Sequence, residues 1–217
     1  MNESSNDGEP PLFYVLLGPD YAGKSSTMTA LAREPSPWRF VSVDDEFTKP
    51  GHGLVGELRR RLLTDALPAL NTGYSADFIA SLMQTAVVHL RDQIVASAGP
   101  VLVDSYYYKI LAKCLLAGGT GAPIFDWWRS FPQPARVLYL DVSPATAWRR
   151  CGAGARLNRL EHYGEPAAWP GFEAYQADLD KLLRDEVRHL PVTVIGECDG
   201  VDQMVDDVRR VLMSECA

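Results

Sequence analysis

The stretch Gly18-Pro19-Asp20-Tyr21-Ala22-Gly23-Lys24-Ser25 fits G-x-x-x-x-G-K-[ST] at every fixed position. Its glycines let successive backbone N–H groups curl around phosphate oxygens, and a helix opening at the loop adds its dipole. Lys24 then reaches the outer phosphates of a nucleoside triphosphate, and the Ser25 hydroxyl suits Mg²⁺. Gly18, Asp20, Tyr21, Ala22, Gly23, Lys24, Ser25 and Ser26 form the expected cradle for the nucleotide phosphates. The plain alternative is a Gly-containing turn with an exposed lysine.

Other residues add to this signal. Val101-Leu102-Val103-Asp104 is an apolar run ending in a carboxylate, which suits a metal-side acid; an Asp that caps the next helix looks the same. Asp141 ends a similar run, but Ser143 and Pro144 follow as cap and first turn, so it reads as structural. Arg149, Arg150, Arg156 and Arg159 fall close together around Gly152 and Gly154, with Glu161 next. Mobile arginines of this kind close over a transferring phosphoryl group, although a solvated charged surface has the same composition. Asp44-Asp45-Glu46 ends an apolar segment and offers a carboxylate to an acceptor hydroxyl, or is an acidic turn. Tyr106-Tyr107-Tyr108, Phe78 and Trp127-Trp128 could stack a flat acceptor or simply fill a core.

Elements must hold these groups in place. Apolar runs predict strands over 12–17, 38–43, 99–104, 136–141 and 192–195. Helical periodicity covers 24–33, 54–67, 75–97, 106–116, 125–130, 144–150, 172–189 and 201–213. Strands alternating with helices give an α/β fold: a five-stranded parallel sheet flanked by helices, of the P-loop NTP hydrolase/kinase type with an Arg-rich lid. Residues 1–10 read as a tail, 11–217 as a single domain, and about 150–163 as the lid.

Composition narrows the function classes. The chain has 217 residues, 47% hydrophobic and 23% charged, which are ordinary globular values. A net charge of -7 argues against a bulk electrostatic grip on nucleic acid. No apolar run approaches the roughly 20 residues of a membrane helix, and the polar, acidic start lacks the pattern of a secretion signal. Cys114, Cys151, Cys198 and Cys216 are scattered with no C-x-x-C pair, so a reduced, cytoplasmic setting is expected.

The motifs together resemble the thymidylate kinase family of P-loop nucleoside monophosphate kinases, from about Phe13 to Asp185. The resemblance rests on GPDYAGKS, KPGHGLVGELRRRL, VLVDSYYYK, LYLDV, the lid segment Leu157-Asn158-Arg159-Leu160-Glu161, and Phe172-Glu173-Ala174-Tyr175. It implies ATP and Mg²⁺, with transfer of the γ-phosphoryl to a dTMP-like acceptor. It implies Lys24 and Ser25 at the ATP phosphates, Ser25 and Asp104 at the metal, and Asp20 facing the acceptor sugar. Tyr21 stands where some members carry a loop arginine. The assisting arginine is therefore expected from Arg150, Arg156 or Arg159.

The chain also departs from the family pattern. The family reads Asp-Arg-Tyr where this chain has Asp104-Ser105-Tyr106. Thr85-Ala86-Val87-Val88-His89 lacks the cation that the family carries there, and Lys49 replaces an arginine before the Pro-Gly loop. Serine cannot replace a bidentate cation. Either Lys49, Arg59, Arg91 or Lys109 compensates, or the acceptor offers a hydroxyl of a nucleoside, sugar or other small molecule, with Asp44 or Glu46 as base. The acceptor-side candidates are Asp20, Asp44, Glu46, Lys49, Phe78, Ser105 and Tyr106. The expected partner is a small-molecule phosphoryl acceptor, with no nucleic acid and no membrane. Family members are often homodimers through helices on one face; helix 75–97 could serve that way or be core.

Overall fold

A strand buried on both faces needs apolar side chains at every position, and Phe13–Leu17 supplies them as β1, with all five residues buried. The structure is a computed structural model that describes residues 12–48, 50–120, 122–198 and 200–214. Four further strands run parallel to β1: β2 (Arg39–Val41), β3 (Val101–Asp104), β4 (Arg136–Leu140) and β5 (Val192–Ile195). Their order is β2-β3-β1-β4-β5, so β1 is central. The register places Val15 beside Val103 and Val137.

The two-residue period of the strands sorts the core into two layers. Phe13, Val15 and Leu17 point to one side, where α3 (Ala76–Val95), α4 (Tyr108–Leu116), α5 (Ala122–Arg129) and α7 (Trp169–Val187) cover the sheet. Tyr14 and Leu16 point to the other, against α1 (Lys24–Ala32) and α8 (Val201–Ser214). The remaining helices are α2 (Gly53–Arg61) and α6 (Pro144–Arg150). Ser75 caps α3 and Ser143 caps α6, each accepting from a backbone N–H three residues on. No helix among the described residues is long and apolar enough to cross a membrane.

Several boundaries differ from the sequence reading, each for a physical reason. β2 is shorter than 38–43 because Trp38 turns inward, packs on Tyr14, and donates from Nε1 to the Leu212 carbonyl. Helix 54–67 stops being α-helical at Arg61; a wider turn, Leu62–Ala66, and a tight one, Leu67–Ala69, follow. Leu54 and Leu63 of this segment face outward, 71% and 39% exposed. α7 starts at Trp169, with Pro170 in its first turn. α4 starts at Tyr108 because Ser105 and Tyr106 take φ 57° and 47°, values no right-handed helix carries. One face of α3 is core, through Ile79, Ala80, Val87, Leu90 and Ile94. The tail 1–10 lies outside the described residues.

Candidate functional site: a phosphate-loop cleft

In open parallel sheets, ligands bind at the carboxyl ends of the strands where the order reverses. Here that point follows β1, and the Gly18–Ser25 loop occupies it. Gly18 has φ +148°, and a Cβ there would lie 2.6 Å from the Leu140 carbonyl oxygen, so glycine is required. Gly23 has φ +103° and precedes α1 without a side-chain cap, which leaves the first helical N–H groups for an anion.

The loop floors a cleft of about 680 Å³, lined from Asp20 through Thr27. One wall descends from β2, α3, β3 and α4, with Val43, Leu90, Tyr106 and Ile110 apolar and Asp44, Asp104, Ser105, Lys109 and Lys113 polar. Arg150, Arg156 and Glu161 come from the α6 end and the segment after it. Gly200, Val201 and Met204, beyond β5, line the far corner.

The charges are tightly arranged. Lys24 is 7% exposed and donates to the carbonyls of Gly18 and Pro19 at 3.0 and 2.9 Å. Burial, with Lys109 nearby, pushes its ammonium down to about 7. The Ser25 hydroxyl donates to Asp44 Oδ2 at 2.9 Å, and Asp44 Oδ1 meets Arg59 at 2.8 Å. Asp104 accepts from the Ser105 hydroxyl at 2.6 Å. Asp20 is 3% exposed and pairs with Lys109 at 2.6 Å and Lys113 at 2.9 Å, with Gln176 Nε2 at 3.3 Å. Burial alone would raise the Asp20 pKa; the two lysines outweigh it and hold the carboxyl well below the usual range.

The arginine-rich segment is fastened to the loop. Arg150 donates to the carbonyls of Tyr21 and Ala22 at 3.3 and 3.1 Å. The Arg156 guanidinium lies over the Tyr21 ring, 5.9 Å from its centroid. The Tyr21 hydroxyl donates to the Arg156 carbonyl at 2.7 Å and to Glu161 at 3.3 Å. A non-Gly φ of 58° at Tyr21 aims the ring in this direction.

The structure brings most of the expected residues to the cleft, but not all. Arg159 pairs with Glu165 and lines a separate depression with Leu157 and His162. Phe78 is 44% exposed and stacks on Tyr74 outside the cleft. Glu46 turns back to accept from the Thr29 hydroxyl of α1 at 2.5 Å. Arg91 pairs with Asp92 and lies over Trp127 and Phe131. Tyr107 and Tyr108 are core residues whose hydroxyls reach Gln133, while Tyr106 alone of the three lines the cleft. Asp20 is occupied by lysines instead of presenting a free face to an acceptor sugar. Lys49 lies outside the described residues.

Sequence reasoning missed Lys113 and Gln176 as site residues. Lys109 and Lys113 are four apart on a mostly apolar helix, so they share one face. Gln176 interrupts the buried stripe Phe172, Tyr175, Leu179, Leu183 on α7. Either oddity was a usable signal.

The donors present fit Mg²⁺. A hydroxyl and carboxylates are hard oxygen ligands, and this ion needs only one or two carboxylates beside substrate phosphates. Ser25 and Asp104 are the residues that would hold it, with Asp44 2.9 Å from the Ser25 oxygen.

No protein-family model and no curated protein matches this chain. Solved structures do. A thymidylate kinase from Candida albicans matches at 16% identity and TM-score 0.60, covering 95% of this chain and 92% of its own. A deoxyadenosine kinase from M. mycoides, solved with dCMP and dCDP, matches at 13% identity and TM-score 0.60, covering 94% of this chain and 99% of its own. At these identities the shared property is the fold alone, a five-stranded parallel sheet flanked by helices.

Proposed function

We propose that this protein is an ATP-dependent phosphotransferase that passes the γ-phosphoryl group to a small nucleoside-type acceptor. The observation that carries the reading is the convergence of Lys24, Ser25, Asp104, Arg150 and Arg156 on one cleft over the phosphate loop. Mg²⁺ bound by Ser25 and Asp104 would supply charge neutralisation at the phosphates. The chain's own groups do the rest. Loop N–H groups and Lys24 orient the triphosphate, while Arg150 and Arg156 screen its charge and exclude water. On this reading the Gly200, Val201 and Met204 corner receives the nucleoside end of ATP, and the apolar Val43, Leu90, Tyr106 and Ile110 wall receives a flat acceptor.

Two acceptors divide on charge. A dTMP-like monophosphate, the acceptor implied by the family resemblance, brings about two further negative charges. Five cationic and four anionic side chains line the cleft, a surplus of one positive charge. Lys113 and Arg59 are already paired with carboxylates. A hydroxyl acceptor asks for no added cation, and Asp44 can take its proton. This balance favours a nucleoside or similar alcohol over dTMP.

The test is ADP release with ATP and Mg²⁺ across dTMP, dUMP, other monophosphates, thymidine, other nucleosides and simple sugars, with Lys24→Ala as control. Turnover of alcohols that is lost in Lys24→Ala is the expected result. Turnover of monophosphates alone overturns the acceptor choice. Activity that survives Lys24→Ala overturns the phosphate-loop assignment.

A further inference from the structure

The cations of the cleft differ in what they already hold. Arg150 gives hydrogen bonds to two loop carbonyls, and Arg156 lies over Tyr21. Lys113 bridges two carboxylates, Asp20 at 2.9 Å and Glu161 at 3.4 Å. Lys109 makes one direct ion pair, 2.6 Å to Asp20, and its side chain is 15% exposed. It also stands near enough to Lys24 for the two ammonium groups to repel, with Asp104 acting on both.

Asp20 and Asp104 offset part of the repulsion between the two ammonium groups, and an anion bound between them would offset more. The supports around Lys109 prevent it from moving away. α4 is anchored by buried Tyr108, Leu111 and Ala112, and Asp20 is itself gripped by Gln176 through its backbone N–H and its carboxylate. An ammonium so fixed in the cleft that the loop floors is within the same cavity as any phosphate bound there.

Resting on the phosphotransferase reading, we propose that Lys109 is a second phosphate-contacting cation, which together with Lys24 grips the phosphoryl group as it is transferred. In that step an acceptor oxygen forms a bond to the γ-phosphorus while the bond to the bridging oxygen of ADP breaks. ADP leaves with that electron pair, and a hydroxyl acceptor's proton passes to a carboxylate oxygen of Asp44. Lys109 neutralises charge on the equatorial oxygens of the moving group, and Asp20 is its positioning residue.

The experiment measures ATP and ADP affinity by titration, and turnover with any acceptor the panel identifies, for the full chain and for Lys109→Met, Lys109→Gln, Lys109→Arg and Lys113→Met. Lys109→Met should lower kcat by about 100-fold or more, as loss of a transition-state donor does. It should also reduce the preference for ATP over ADP by about 10-fold, with ADP affinity unchanged. Lys109→Arg should restore part of both, and Lys113→Met, which leaves Lys109 paired with Asp20, should change the ATP-to-ADP ratio less than Lys109→Met does. If Lys109→Met does not fold, Lys109→Gln is judged on the same ratio. A wild-type ratio in a folded Lys109→Met or Lys109→Gln protein overturns the proposal alone. Wild-type protein that binds neither nucleotide overturns the phosphotransferase reading and the proposal with it.

Discussion

Asp20→Asn keeps the shape of a side chain and removes the charge at the centre of a buried cluster. The carboxylate meets Lys109 at 2.6 Å and Lys113 at 2.9 Å, and Gln176 at 3.3 Å completes its contacts. The substitution leaves Lys113 with Glu161 and takes from Lys109 its bonded carboxylate. Breaking one side of a buried pair costs about 3–5 kcal/mol. In a chain of this size each kcal/mol moves Tm by about 2–4 °C, so Tm should fall by about 6–20 °C. The assay is thermal unfolding followed by circular dichroism from neutral pH down to acid. The carboxyl pKa is held below its unfolded value by the two lysines, so the folded state binds fewer protons than the unfolded chain. Its stabilisation is complete above the unfolded carboxylate pKa of about 4 and is lost as pH falls through the folded value. The gap between wild type and Asp20→Asn should therefore hold from neutral pH to about 5 and close only below about 4. A neutral-pH gap under about 2 °C, or a gap that closes by about pH 6, would refute the reasoning.

Four further outcomes are expected. Gly18→Ala places a Cβ 2.6 Å from the Leu140 carbonyl at φ +148°; it should cost about 2 kcal/mol or more in denaturant unfolding and weaken ATP binding. Arg159→Ala removes only an ion pair with Glu165, so stability should stay within about 0.5 kcal/mol and turnover should not change. Arg150→Ala, which frees the Tyr21 and Ala22 carbonyls, should slow turnover by about 10-fold or more in a coupled ADP assay. Burial and Lys109 push Lys24 down to about 7, and bound phosphates favour its charged form. Calorimetry in buffers of different ionisation enthalpy should therefore find uptake of about 0.9 proton on MgATP binding at pH 8 and about 0.1 at pH 6. Equal uptake at both pH values would reject that assignment.

The strand–loop–helix around Gly18–Ser25 and the sheet were legible because their determinants are local. Gly18, Gly23, Lys24 and Ser25 have fixed spacing, and β1 is apolar at every position because both of its faces are covered. The cleft walls were only half legible. Asp44 and Lys109 were recognised as candidates, but their partners, Ser25 and Arg59 for the one and Asp20 for the other, are set by how separate segments pack. Glu46 and Phe78 carry chemistry-bearing side chains of the expected type, yet one turns to Thr29 and the other to Tyr74. Arg159 sits inside a segment whose composition suggested a lid, but one turn of chain decides whether a guanidinium meets the loop or Glu165. The left-handed pair Ser105 and Tyr106 has no sequence signature, since neither is Gly or Asn.

The strand order β2-β3-β1-β4-β5 has a consequence for how such a protein can be rebuilt. Val43, Leu90, Tyr106 and Ile110 all belong to one uninterrupted stretch of chain on one half of the sheet, whereas Val201 and Met204 belong to the other half. The loop after β1 joins the halves. The stretch from β2 to α4 is thus a cassette, and on the proposed function exchanging it as a block should change which acceptor is used while leaving nucleotide affinity unchanged. Lys109 and Lys113 would travel with the cassette and Asp20 would remain behind, so a working chimera must keep a cationic pair four residues apart to meet that buried carboxylate.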